Sequence, residues 1–104
     1  MKLYKSIMAK YAPSFPEPRD DTLFFYGMAK AATFVQALYR AGKNPTRASL
    51  MKAALNLKVK KFPWILPGAQ LTSSPTSAFP IRYQKLRRYD GNAFTEFGGL
   101  VKTR

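Results

Sequence analysis

Between Arg82 and Tyr89 the sequence reads RYQKLRRY. Arg82, Tyr83, Lys85, Arg87, Arg88 and Tyr89 interleave cations with aromatics over eight residues. Such a pattern can contact phosphates through the cations and stack bases on the rings. Strand alternation would put Tyr83, Lys85, Arg87 and Tyr89 on one face. The same face also suits a strand that turns its aromatics toward a neighbouring layer and lays its long basic side chains along the surface. Other chemistry is sparse. The chain has no histidine and no cysteine, which removes the commonest metal ligands, thiol catalysis and the usual general base near neutral pH. Ser73, Ser74, Thr76 and Ser77 offer hydroxyls, but without histidine only a lysine-assisted nucleophile remains, and nothing in the sequence fixes a lysine beside them. A hydroxyl-rich loop held by local turns is the simpler reading. Of the acids Glu17, Asp20, Asp21, Asp90 and Glu96, the pair Asp20 and Asp21 reads as a helix cap and Asp90 as a turn residue. No phosphate-binding glycine loop is present, since Gly98 and Gly99 lack the required strand, helix and lysine around them. The expectation is a protein that is not an enzyme and needs no cofactor or metal.

The chain has 104 residues and a net charge of +13, from 18 basic and 5 acidic residues. That surplus favours anionic partners as non-specific contacts. It is not a basic tail: residues 1–56 hold nine Lys/Arg and three acids, residues 57–104 nine and two. With 46% hydrophobic residues the chain is in the globular range, yet a chain of this length builds one modest core at most. No secretion signal is visible in MKLYKSIMAK, because Lys2, Lys5 and Lys10 interrupt its apolar residues. The uncharged run Phe62 to Ile81 is long enough to span a membrane, but Pro63, Pro67, Pro75 and Pro80 exclude an ordinary membrane helix.

The elements that must position these groups fall into three parts, taken together as a single partial domain. Residues 1–57 are helical. A first helix over 2–11 places Leu3, Ile7 and Tyr11 four apart and stops at Pro13. After the connector APSFPEPRDD, Asp20, Asp21 and Thr22 supply cap chemistry for a long helix. Its main stripe is Phe24, Met28, Ala31, Val35 and Leu38, widened on both sides by Phe25, Ala29, Ala32, Phe34, Ala37 and Ala41. The polar side, Lys30, Thr33, Gln36, Arg40 and Lys43, is narrow. A helix so largely apolar belongs between two layers or against a broad sheet. Gly42, Asn44 and Pro45 end it, and Thr46 caps a third helix in RASLMKAALNL, with Ser49 in place of the Glu or Gln of a full capping box. Residues 58–80 read as a Pro-rich loop with one short strand near 69–72. Residues 81–104 read as a β-hairpin and tail, with strands 81–89 and 93–97 joined at Asp90 and Gly91.

The order of segments carries a resemblance. YGMAKAATFVQALYRAGKNPTRASLMKAAL followed by LPGAQLTSSPTSAFPIRYQKLRRYDGNAFTEFGGL resembles the C-terminal portion of type I periplasmic binding proteins of ABC transporters, the branched-chain amino acid receptor family. The matching features are Tyr26 opening an alanine-rich helix, the Ala41 to Lys43 exit, the Thr46 to Leu55 helix, the Ser74 to Thr76 loop, and Gln84 with Asp90 and Gly91. Met8 to Pro13 is similar to the end of the family helix that precedes this region. The resemblance covers nearly all of this chain but only the last quarter to third of the family's length.

It implies an α+β fragment of an α/β binding-protein fold, with about three helices and then a small antiparallel hairpin. The implied function is a truncated receptor component, periplasmic or extracellular, for amino acids or related solutes, unable to bind ligand alone. Its family partners are the solute and a membrane permease, and the isolated chain is expected to self-associate over its apolar helix. The resemblance points to Phe24 and Tyr26 as positions near a ligand cleft. The competing reading makes both core aromatics at a helix start. The competing function is a basic nucleic-acid-binding protein that uses the 81–97 hairpin.

Overall fold

The computed structural model describes residues 2–14 and 22–103. Its elements are helices α1 (Lys2–Tyr11), α2 (Thr22–Ala41) and α3 (Arg47–Ala54), then strands β1 (Lys58–Val59), β2 (Leu71–Thr72), β3 (Tyr83–Tyr89) and β4 (Phe94–Lys102). Three helices and two small antiparallel sheets, β1 with β2 and β3 with β4, make an α+β arrangement. The cap role expected of Asp20 and Asp21 and most of the Pro-rich connector lie outside the described residues.

Helix α1 forms where expected but turns a different face inward. Tyr4 and Met8 are buried, whereas Leu3 is 50% and Tyr11 72% exposed. The reason is aromatic: the Tyr4 ring meets Phe25 of α2 edge-on at 5.5 Å, and Phe25 in turn meets Trp64 at 5.5 Å. Rings in this geometry bind each other beyond their area burial, so the Tyr4 side wins over the Leu3 side. On α2 the buried positions are Ala29 and Ala37, with Phe24, Phe25, Met28 and Ala32 partly buried around them. Small residues there let neighbouring chain approach closely. The expected stripe is therefore only half used, and Val35 remains 56% exposed.

Gly42, with φ +95, stops α2 in a conformation that favours glycine, and α3 packs back on α2 as a helical hairpin. The capping box of α3 is complete after all. Ser49 N–H donates to Thr46 Oγ1 at 3.1 Å, and Thr46 N–H donates to Ser49 Oγ at 2.8 Å. A serine hydroxyl at the third position thus reaches back as Glu or Gln would. Helix α3 ends at Ala54, three residues before the expected end, and the chain turns into β1.

The segment 58–80 holds more structure than a loop with one strand. The expected strand is β2, and its partner β1 was not anticipated; Lys58 pairs with Thr72 and Val59 with Leu71. On the other side, Leu71 bridges Ile81, and Thr72 N–H donates to Pro80 O at 2.9 Å. Leu71 is consequently enclosed completely, at 0% exposure. Arg40 of α2 donates to Lys58 O at 2.8 Å and fixes β1 to the helices.

The second strand of the hairpin runs to Lys102 rather than stopping at Phe97. Gly98 and Gly99 do not end it. They form an irregularity in which one β3 residue, Lys85, faces three of β4, Gly98 to Leu100, between the pairs Gln84↔Val101 and Leu86↔Phe97. Gly98 takes φ +68, which only glycine adopts cheaply.

The whole is thin and open. Its extents are 50 × 39 × 17 Å and its radius of gyration 16.2 Å, against about 13 Å for a compact domain of this length. Its accessible surface is 8332 Å², against about 5,900 Å² for a folded monomer of this mass. The core is one-sided: α1, α2 and the 57–71 segment bury a shared layer, and nothing among the described residues covers the far side of α2.

Candidate functional site

Three surface features collect the residues with chemical potential. The first is an open groove of about 480 Å³ beside the first half of α2, walled by Phe25, Tyr26, Phe79 and Pro80 over Trp64. Tyr26 is 55% exposed, and the Lys30 ammonium lies over its ring at 4.3 Å from the centroid. Phe24 and Tyr26 are two apart and diverge around the helix. Phe24 packs against the buried cluster while Tyr26 faces the groove. The sequence names Phe24 with Tyr26; in the structure the groove is lined by Phe25 and Tyr26, and Phe24 is not among its lining residues. Trp64 and Phe79 were not singled out in the sequence, because they come from a proline-rich segment without periodicity.

The second feature is a trough along the opposite side of α2. One hollow of about 500 Å³ lies between α1 and α2, bounded by Leu3, Ile7, Met28, Val35 and Phe62. A second of about 530 Å³ continues from Val35 past Leu38 and Tyr39 to Pro45. Val35 belongs to both, so the hollows are neighbours on the same side of α2. Lys61 borders the first and Lys43 the second.

The third is the hairpin. Alternation does group Tyr83, Lys85, Arg87 and Tyr89, and the cross-strand partners show what occupies them. Glu96 lies opposite Arg87, which donates to its Oε1 at 3.0 Å, and Lys85 Nζ is 3.5 Å from Glu96 Oε2. The hydrogen bond from Arg87 is the main cause holding the Glu96 carboxyl below its ordinary pKa, with Lys85 adding to it. Tyr89 packs on Phe94 at 5.0 Å and donates its hydroxyl to Gly91 O at 2.8 Å. Arg88 is on the other face, over the Phe97 ring at 5.2 Å. Arg82 sits at the ribbon base, where its carbonyl accepts from Thr103 N–H at 2.7 Å. The six residues therefore divide between two faces, and the two cations on the expected face share one carboxylate.

The turn is built by Asp90. Its Oδ1 accepts from Ala93 N–H at 2.8 Å and Asn92 N–H at 2.9 Å, and these bonds, Ala93 first, lower its pKa. The serine cluster is likewise spent on structural bonds. Ser73 is buried and bonded on both sides, and Ser74 Oγ lies 3.2 Å from Thr76 Oγ1. No group of His, Cys, Asp and Glu able to hold a metal occurs among the described residues, and no described helix is long and apolar enough to cross a membrane.

No family model, curated protein or solved structure matches the chain. Fold and site define an α+β arrangement in which one apolar side of α2 is uncovered among the described residues.

Proposed function

We propose that the chain is a component of a solute receptor of the type I periplasmic binding-protein kind, serving an ABC transporter for amino acids or related small solutes. The observation that carries this reading is the one-sided core. A surface roughly 2,400 Å² larger than that of a compact monomer of this mass is of the order that obligate association removes from water. A helical layer with its apolar side uncovered is what the segment order implies for this part of a receptor lobe, where helices cover a further polypeptide layer. Tyr26, at the rim of the aromatic groove, is the position nearest to a solute cleft in this reading. The chain carries no complete cleft of its own, so it binds no amino acid measurably without the rest of the lobe.

The test is made on the native gene. A tag placed on this chain at its own locus should appear in the osmotic-shock or extracellular fraction, and the tagged material should retain leucine, isoleucine, valine or a related solute. Recovery in the cytosol with nucleic acid would reject the reading.

A second reading, nucleic-acid binding by the hairpin, rests on the alternation of Tyr83, Lys85, Arg87 and Tyr89. The sharing of Glu96 by Lys85 and Arg87 weighs against it, since a carboxylate stands where phosphates would approach. Titration with oligonucleotides across salt separates them: a sequence or strand preference supports this second reading, and weak indiscriminate binding reflects charge.

A further inference from the structure

We infer that the trough along α2 receives an acidic amphipathic segment of another polypeptide, whose apolar residues enter the two hollows and whose carboxylates meet Lys43 and Lys61. This rests on the reading that the uncovered side of α2 is a docking face, and it names the chemistry of what docks there.

Shape calls for an occupant with projecting side chains. The hollows of about 500 and 530 Å³ are depressions that discrete side chains fill. From Met28 to Gly42 the trough follows α2 for roughly 20 Å, at about 1.5 Å per residue, close to the length of a four-turn helix. A lipid surface offers no knobs for such hollows, and nucleic acid offers no aliphatic groups.

Charge disfavours a second copy. Outside the hairpin the described residues carry eleven cations, from Lys2 to Lys61, and no carboxylate. Among the described residues, the charged ones bordering the trough are Lys43 and Lys61. Two copies meeting on this face would oppose like charges with no carboxylate among the described residues beside them, which costs free energy across an interface. An acidic segment meets the same cations favourably and draws the basic chain toward it in solution.

Trp64 is the chain's single tryptophan and lines both the first hollow and the aromatic groove, so the Val35-sensitive part of its emission change reports filling of the hollow. The probes are two amphipathic peptides of about 18 residues with identical leucine and alanine positions, one with glutamates on its polar side and one with lysines. The glutamate peptide should shift Trp64 emission saturably at a concentration at least tenfold lower than the lysine peptide. Val35→Asp, at an exposed position, should weaken it about tenfold or more, and Lys43→Glu with Lys61→Glu should erase most of the preference. Equal response to both peptides, or none to either, overturns the inference. So does Val35-dependent self-association by sedimentation, which would seat a second copy, or Val35-dependent binding to phosphatidylglycerol vesicles. Because neither peptide is a receptor sequence, success here is compatible with failure of the receptor reading, which the native-locus experiment decides separately.

Discussion

The Ser73 hydroxyl donates to the Ala54 carbonyl at 2.6 Å and accepts the Leu57 amide at 2.9 Å, so that one buried side chain ties the end of α3 to β2. Beside it, Ser73 N–H donates to Leu57 O at 3.0 Å. One of the four hydroxyls that the sequence reads as a loop held by local turns is instead a structural pin to a distant segment.

Replacing Ser73 with alanine leaves both the Leu57 amide and the Ala54 carbonyl short of a partner in a buried place. The expected cost is about 1–3 kcal/mol, read as a lower midpoint in urea at unchanged slope. A midpoint within error of the parent would mean that the bridge is not formed in solution.

Leu71 is the most enclosed residue, held between β1 and Ile81. Leu71→Ala should cost roughly 2–5 kcal/mol. With a core that is buried from one side only, that is a large share of the total stability, and circular dichroism should show loss of cooperative unfolding. Val35→Ala, at an exposed site on the same layer, should leave the isolated chain within about 0.5 kcal/mol of the parent.

The capping box predicts a smaller effect. Thr46→Ala should cost about 0.5–2 kcal/mol and fray α3 first, visible as faster amide exchange at Ser49 and Leu50.

Acid should loosen the hairpin. Asp90 and Glu96 both ionise more readily when folded, Asp90 through the Ala93 and Asn92 amides and Glu96 through Arg87 and Lys85. Their contribution is complete above the unfolded carboxyl values, near pH 4, and is lost as pH falls through the lower folded values. The chemical shifts of Phe94 and Ala93 should move toward unfolded values below about pH 4. Glu96→Gln should remove part of that change, and Asp90→Asn another part. Shifts that stay flat to pH 2 would contradict it.

Much of this architecture was legible in the sequence, for physical reasons. Helix stops at Gly42 and Pro45, the Asp90 turn and the alternation through β3 are local signals, fixed by backbone sterics and short-range hydrogen bonds. What was missed is set by distant contacts. Positions 3, 7 and 11 and positions 4 and 8 both satisfy helical periodicity, and only the Phe25 ring decides for Tyr4. A strand as short as Lys58–Val59 has no pattern to read; it exists because Arg40 and Leu71 hold it. Gly98 and Gly99 look like a stop, and only the pairing beyond them, Gln84 with Val101 and Tyr83 with Lys102, reveals an irregularity inside a longer strand. In the aromatic groove the sequence located Tyr26 but not Trp64 or Phe79, since three chain segments meet there and none announces the others.

Helix α2 presents an apolar side that no other described residue covers. Bleaching of methyl resonances by a dilute nitroxide co-solute tests this directly. In dilute solution the methyls of Val35 and Leu38 should bleach strongly while those of Leu71 stay protected. Protection of Val35 and Leu38 equal to that of Leu71 at the lowest concentration would contradict the account, because the face would then already be covered.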